Sequence, residues 1–158
     1  MLERALLIVT VAGGAALGFL WPTDTARTTG SDDSVEVTLQ RSPDRHFYAE
    51  AEVNGKPVRF LVDTGAGELA LTEEDAARAG VRVDPDKYEL LGHGASGLVR
   101  GQYVELRQVD VGGIRESGTK AVVVQGANMS LLGQPFLETI DEIVIRKDEM
   151  VLRDRKAA

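Results

Sequence analysis

The sequence predicts a mainly β domain of roughly 120 residues with one or two short helices, preceded by an apolar N-terminal segment. From residue 35 onward apolar residues recur at every second position, as in Val35, Val37 and Leu39, a period typical of half-buried strands. Turn signals such as Asn54-Gly55 separate these runs and predict hairpins. These patterns alone indicate a mainly antiparallel β barrel or sandwich.

Composition narrows the class of protein. The chain has 158 residues, a net charge of −7, no cysteine and two histidines. This length suits one domain of ordinary size with an accessory segment. The lack of cysteine excludes disulfides and thiol catalysis. An acidic chain without a cluster of Lys and Arg is not expected to bind nucleic acid, because the phosphate backbone requires a basic surface.

No metal site and no cofactor are predicted. His46 and His93 are expected at exposed loop positions, since neither has a second histidine or a carboxylate at metal-ligand spacing. The acidic run of residues 73–75 falls in the first turn of a predicted helix, where the helix dipole favours negative charge without any metal.

The first 22 residues differ in character from the rest. Residues 5–21 contain no charged side chain and would span about 26 Å as a helix, close to the lower limit for crossing a membrane. Trp21 suits the membrane interface and Pro22 ends the helix. We expect residues 1–22 to be an uncleaved membrane anchor. A cleaved signal peptide and a buried helix are the alternatives, although no good cleavage site follows Phe19.

A linker separates this segment from the domain. Residues 23–34 contain no large apolar side chain and are rich in Thr, Asp and Ser, so they would form a relaxed coil on the order of 20 Å long. The domain is then expected to occupy residues 35–158. Positive charge tends to stay on the cytoplasmic side of a membrane. The positive charges of Arg4 and the amino terminus, opposed only by Glu3, therefore favour a domain outside the cytoplasm.

Within the domain the same period of two continues. Further strands are predicted in residues 47–53, 58–62, 98–106, 109–111, 121–124, 142–145 and 150–152. One helix is marked by Thr72 as its N-cap, Asp75 as the partner in a capping box and Gly80 at its C-terminal end. A weaker helical turn is expected at 135–139, with Pro135 in its first turn.

The chemically notable segment is Phe60-Leu61-Val62-Asp63-Thr64-Gly65-Ala66. An apolar strand runs directly into an aspartate, a hydroxyl residue and a glycine that permits a sharp turn. Taken alone, Asp-Thr-Gly is a common turn sequence. A second segment about seventy residues later, Ser130-Leu131-Leu132-Gly133, again places two apolar residues and a glycine before a predicted helix.

Together these segments resemble the single-domain, retropepsin-like aspartic proteases of bacteria, which are related to retroviral proteases. The resemblance covers residues 35–153 and rests on the segments FLVDTGAGELALTEEDAARAGV, LGHGASGLVRG, VDVGGI, SLLGQPFL and IDEIVIRKDEMVLR. It implies a closed antiparallel β barrel of the retropepsin type, with one or two short helices. Because an N-terminal membrane segment also occurs in this group, the expected location is the bacterial inner membrane, as a single-pass protein with a periplasmic or extracytoplasmic domain.

The resemblance also implies a reaction and an assembly. Aspartic proteases use two facing aspartates that share one proton, one activating a water and the other protonating the substrate. This chain has a single Asp-Thr-Gly, since Asp141 and Asp148 lie in other contexts. The expected active form is therefore a homodimer that cleaves peptide bonds of extended polypeptides, with Asp63 supplied by each subunit.

Residue roles follow from the resemblance. Asp63 would be catalytic, Thr64 would hydrogen-bond to the partner's loop, and Gly65 and Ala66 would support the active-site loop. Leu131, Leu132 and Gly133 would pack beneath the Asp63 strand. A mobile flap is expected over the six residues Gly92, His93, Gly94, Ala95, Ser96 and Gly97.

Two departures from the family pattern stand close to the site. Glu68 adds a negative charge five positions after Asp63 and is expected to point to solvent. Gln134-Pro135 follows the apolar-apolar-Gly segment where relatives more often carry Met and a small residue.

The alternative to a protease is a non-catalytic, membrane-tethered module that keeps the protease-like fold for dimerisation or peptide binding. An intact Asp-Thr-Gly-Ala favours the protease.

Overall fold

The computed structural model describes residues 34–94 and 97–155, with only the backbone of residues 93 and 94. The predicted anchor at residues 1–22, nearly all of the linker, and flap residues Ala95 and Ser96 lie outside the described residues. Within the described ranges, no helix has both the length and the hydropathy that crossing a membrane requires.

The described residues form ten strands and two α-helices. The strands are β1 (Val35–Gln40), β2 (Tyr48–Val53), β3 (Lys56–Val62), β4 (Ala70–Thr72), β5 (Glu89–Gly94), β6 (Gly97–Val111), β7 (Ile114–Val124), β8 (Ser130–Leu132), β9 (Glu142–Ile145) and β10 (Glu149–Asp154). The helices are α1 (Glu73–Arg78) and α2 (Gln134–Leu137), and a 3₁₀ helix spans Pro85–Lys87.

Seven strands form one sheet in the order β2-β3-β8-β4-β7-β6-β5. The long strand β6 also pairs with β2, through Glu52 opposite Asp110 and Val53 opposite Val109, so that six strands close into a barrel and β5 extends from it. The predicted closed, mainly β barrel with two short helices is confirmed. The remaining strands form a three-stranded antiparallel sheet in the order β1-β10-β9.

The sequence predicts an antiparallel barrel, but two of the strand pairs in the structure are parallel. Strand β3 pairs parallel with β8, and β4 pairs parallel with β7. Parallel neighbours have to be joined by long crossovers, and periodicity along the sequence carries no signal for such pairing. The β3–β8 pair positions the site, because the carboxyl ends of two strands far apart in the chain lie side by side.

Local sequence explains the tight hairpins. Asn54 and Gly55 both adopt positive φ, 54° and 78°, between the paired residues Val53 and Lys56. This is the backbone that a two-residue hairpin needs, and Asn-Gly is the pair that adopts it at the lowest cost.

The core fills the barrel with the alternating apolar residues of its strands. Phe60 on β3 and Phe136 on α2 are its largest fully buried side chains, and Leu132 on β8 is buried with them. The residues that flank the Asp-Thr-Gly loop are packed in one core. This packing fixes the base of the loop, because close-packed interiors resist displacement.

Thr72 caps the N-terminus of helix α1 as predicted, but the cap is only half of a capping box. The Asp75 N–H donates to Thr72 Oγ1 at 3.0 Å. The Asp75 carboxylate does not return to the Thr72 N–H; that N–H donates to Ser130 Oγ at 3.1 Å, and the Ser130 hydroxyl donates to Asp75 Oδ2 at 2.6 Å. A buried serine from β8 thus joins the cap of α1 to the barrel.

Candidate active site

Asp63 lies at the carboxyl end of β3, next to the end of β8. Leu61 pairs with Leu131 and Val62 pairs with Leu132 in parallel register. The Asp63 N–H continues this ladder by donating to the Leu132 carbonyl oxygen at 3.1 Å. The aspartate backbone is therefore held by the sheet, and its side chain begins the loop that follows.

The loop formed by residues 63–66 turns tightly around the Asp63 carboxylate. The Gly65 N–H donates to Asp63 Oδ1 at 2.9 Å, and the Ala66 N–H donates to the Asp63 carbonyl oxygen at 3.2 Å. The carboxylate is half-buried. The turn presents the carboxylate at the surface of the domain.

Gly133 and Gln134 hold the other side of this loop. A Cβ on Gly133 would lie 2.7 Å from the Ala66 carbonyl oxygen and 2.1 Å from that of Glu68, so the backbones touch with no room for a side chain. The Gln134 N–H donates to the Ala66 carbonyl oxygen at 2.9 Å. The Gln134 side-chain amide donates to the Thr64 carbonyl oxygen at 2.7 Å.

Thr64 is exposed at the tip of the loop. Among the described residues of this single chain, none forms a hydrogen bond with its hydroxyl. The role expected of Thr64, a hydrogen bond to the partner's loop, concerns a second chain and stays a prediction.

The predicted flap corresponds to the tip of the hairpin formed by β5 and β6. His93 pairs with Leu98 and Gly94 with Gly97, and the register shifts between Leu90 and Gly92. The side chains of Leu90 and Leu98 are 57% and 66% exposed. Large apolar side chains at this exposure on a hairpin are suited to contact with another molecule.

The base of the hairpin is fixed by Tyr88, a buried residue directly before β5. The Tyr88 hydroxyl donates to Glu73 Oε1 at 2.9 Å, and Arg100 Nη2 donates to the Tyr88 carbonyl oxygen at 2.7 Å. Burial, together with the hydrogen bond and the charge of Glu73, raises the pKa of Tyr88 to about 12. Helix α1 thus holds the root of the hairpin, while Leu90 and Leu98 further along it are exposed.

Glu68 does not simply point to solvent. It is half-buried and accepts a hydrogen bond from the Tyr103 hydroxyl on β6 at 3.3 Å. The negative charge of Glu68 is the main reason that the pKa of Tyr103 is raised. The charge beside the Asp-Thr-Gly loop is therefore directed toward β6, with a polar partner.

The structure brings together Asp63, its loop, and the 131–133 segment, which sequence reasoning selected. Sequence reasoning missed the contribution of Gln134, which it treated only as a departure, and those of Ser130 and Tyr88 to the supporting hydrogen bonds. No local pattern reports such contacts, because they join residues that are distant in the chain, as with Gln134 and Thr64.

A closed barrel that holds an Asp-Thr-Gly loop against the end of a second, parallel strand defines an aspartic protease domain. Residues 49–139 match the family described as gag-polyprotein putative aspartyl protease, and the chain belongs to that family.

Two solved structures resemble the fold. A retropepsin-like aspartic protease from Rickettsia conorii superposes with a TM-score of 0.66 and 32% identity, covering 81% of this chain and 98% of that one. The EIAV protease complexed with the inhibitor HBY-793 gives a TM-score of 0.50 and 20% identity, covering 61% of this chain and 89% of that chain, a likeness of fold alone. The retropepsin-like fold is confirmed.

Sequence relatives are longer than this chain. An uncharacterized Sinorhizobium protein encoded in the cobV 5′ region is 35% identical over 144 residues, and an uncharacterized Rickettsia prowazekii protein is 35% identical over 117. These matches cover 90% and 74% of this chain but only 62% and 51% of the relatives' lengths. The Arabidopsis thaliana protein DNA-DAMAGE INDUCIBLE 1 is 28% identical over 116 residues, which are 67% of this chain and 27% of that protein.

Proposed function

We propose that the protein is a membrane-anchored aspartic endopeptidase that acts as a homodimer on extended polypeptides. The observation that carries the proposal is the Asp63 carboxylate at the end of β3, which accepts the Gly65 N–H at 2.9 Å in a loop held by β8 and α2. A carboxylate that is fixed by a backbone donor and left accessible at a turn can act as an acid or a base without reorganising.

Hydrolysis needs two such carboxylates with different proton occupancy. The ionised Asp63 of one subunit takes a proton from a water, and the protonated Asp63 of the other donates a hydrogen bond to the scissile carbonyl. The water oxygen adds to the carbonyl carbon, and as the C–N bond breaks the protonated aspartate gives its proton to the leaving nitrogen, which departs as an amine. Two carboxylates a few Å apart share one proton because both cannot ionise comfortably, so activity is expected at acidic to mildly acidic pH.

The second carboxylate comes from another copy of the chain. Asp141 and Asp148, the alternatives considered from the sequence, are exposed residues at the start of β9 and in the β9–β10 turn, outside any Asp-Thr-Gly loop. A two-fold axis beside Asp63 would supply an identical loop, and the exposed Thr64 hydroxyl would then meet its partner across that axis.

The outer edge of β9 offers a surface for this assembly, since β9 is the last strand of its sheet and Ile145 is 54% exposed. If two β9 strands pair antiparallel about Val144, Ile143 faces Ile145, and Glu142 faces Arg146 of the second copy. This register places opposite charges together and apolar residues together, which favours it over a shift of one residue.

The substrate is proposed to be an extended segment of a protein or peptide. The β5–β6 hairpin carries the exposed Leu90 and Leu98, and an extended peptide beneath it could add strand-like hydrogen bonds and apolar contacts. Closure of the hairpin would exclude water from the reaction.

The proposed location is the bacterial inner membrane, with the domain on the periplasmic or extracytoplasmic side. The uncharged run of residues 5–21 supports an anchor, and residues 23–34 supply the tether. Cell fractionation tests this directly: the full chain should sediment with membranes, whereas a chain starting at Ser34 should not. Equal partition of the two would refute the anchor.

The enzymatic proposal is tested by comparing the protein with its Asp63→Asn variant on a diverse peptide library between acidic and neutral pH. Asp148→Asn, at an exposed turn, is the matched control. We expect cleavage by the wild type and the control and none by Asp63→Asn. If all three cleave alike, or if none cleaves, the chain is not this protease, and the non-catalytic binding module becomes the better account.

A further inference from the structure

Gln134 makes two different hydrogen bonds to the loop that carries Asp63. Its backbone N–H donates to the Ala66 carbonyl oxygen at 2.9 Å, and its side-chain amide donates to the Thr64 carbonyl oxygen at 2.7 Å. The first bond requires only a backbone at position 134. The second requires a side-chain donor of this length, so it can be removed by substitution without disturbing the first.

The side-chain bond ends on the same peptide unit that contacts the carboxylate. The Thr64 carbonyl and the Gly65 N–H belong to one planar peptide group. Its oxygen accepts from Gln134 Nε2 at 2.7 Å, while its N–H donates to Asp63 Oδ1 at 2.9 Å. The peptide is thus held at both ends, in a chain of hydrogen bonds that runs from Gln134 to the carboxylate.

We propose that Gln134 is a positioning residue, which orients the Thr64–Gly65 peptide so that its N–H fixes and polarises the Asp63 carboxylate. A donor on the carbonyl oxygen strengthens the hydrogen bond made by the N–H of the same peptide, because consecutive hydrogen bonds polarise one another. The inference deepens the proposed function and rests on it for its catalytic consequence, although the orientation of the peptide can be tested without activity.

Two substitutions separate the donor from the packing. Gln134→Met keeps a side chain of similar length and removes the donor. Gln134→Arg keeps a donor, because the arginine Nε–H lies as many bonds from Cα as the amide nitrogen of Gln134. Thr139→Val is the matched control in the turn that follows α2, because the Thr139 hydroxyl donates only to Phe136 within its own segment.

The first readout is the Gly65 amide in an assigned ¹H–¹⁵N spectrum of the full chain in mild detergent. In Gln134→Met we expect the Gly65 amide proton to move upfield and exchange faster, because its hydrogen bond is weaker. In Gln134→Arg and Thr139→Val we expect the wild-type signal. An unchanged Gly65 signal in Gln134→Met would overturn the inference, whether or not the protein cleaves peptides.

The second readout is the separation of kcat from KM. Loss of one orienting hydrogen bond is expected to lower kcat about tenfold in Gln134→Met while KM changes less than about twofold, and Gln134→Arg should restore kcat. A shifted Gly65 signal with unchanged kcat, or an equal loss in Thr139→Val, would refute the positioning role. If the wild type itself cleaves nothing, the proposed function fails, and the Gly65 signal still decides whether Gln134 orients the peptide.

Discussion

Gly133 lies so close to Glu68 that a Cβ added to the glycine would sit 2.1 Å from the Glu68 carbonyl oxygen. No side chain separates the end of β8 from the loop that follows Asp63. This backbone contact, with the hydrogen bond from the Asp63 N–H to the Leu132 carbonyl oxygen at 3.1 Å, sets where the carboxylate stands.

Gly133→Ala should therefore disrupt the site and the fold around it. The clash is with backbone oxygens, which cannot rotate away, and overpacking of this kind costs about 1–3 kcal/mol or more. Gly67→Ala is the control, since a Cβ there meets no atom within 4 Å.

Urea unfolding should give a much lower midpoint concentration of urea for Gly133→Ala than for Gly67→Ala. Similar midpoints would contradict the packing described.

Ser130 is a second point at which β8 supports its surroundings. It is fully buried, accepts the Thr72 N–H and donates to the Asp75 carboxylate. Ser130→Ala leaves a buried N–H without its acceptor and should lower the free energy of unfolding by about 2 kcal/mol. Ser117→Ala, on an exposed position of β7, should change it little. Equal stabilities in urea would show that the Ser130 bridge contributes nothing.

Tyr88 predicts how stability depends on alkaline pH. Its folded-state pKa of about 12 lies above the value of about 10 for tyrosine in an unfolded chain. Between these values the unfolded chain has lost a proton that the folded protein keeps, so stability falls as pH rises from about 10 to 12.

Tyr88→Phe should flatten this fall, because the variant has no proton to lose at that position. It should also be less stable than the wild type at neutral pH, by about 1 kcal/mol, since it lacks the hydrogen bond to Glu73. Urea midpoints measured across the alkaline range compare the two slopes. An equally steep fall in the variant would assign the effect to other tyrosines.

The edge of β9 predicts the effect of a charge on assembly. Ile145→Lys would put a second cation next to Arg146 and opposite Ile143 of the other copy. The dissociation constant of the dimer should therefore rise at least about tenfold. Leu90→Lys, at an exposed position of β5, should leave the association unchanged. Sedimentation of residues 34–158 measures both, and an unaltered dimer in Ile145→Lys would exclude this edge as the interface.

Much of this fold could be predicted because the deciding signals are local. Asn54-Gly55 fixes a hairpin through its own backbone preferences, and Thr72 caps a helix three residues from its partner Asp75. Closure of the barrel by β2 and β6, and the parallel pairing of β3 with β8, depend on residues far apart in sequence.

The candidate site divides in the same way. Asp63 and the 131–133 segment could be selected from short motifs, because their chemistry and their turn need particular residue types. The contribution of Gln134 could not, since a glutamine after a glycine has no preferred partner until folding brings the Thr64 carbonyl within 2.7 Å. Supporting contacts of this kind are products of the tertiary structure.

The requirement for one Asp63 from each of two chains is tested most directly by mixing wild type with Asp63→Asn at constant total protein, under conditions that allow subunits to exchange. If only dimers with two intact carboxylates cleave, the rate follows the square of the wild-type fraction and falls to about a quarter at equal amounts. A rate that falls in proportion, to about half, would mean that each chain acts on its own and would contradict the shared site.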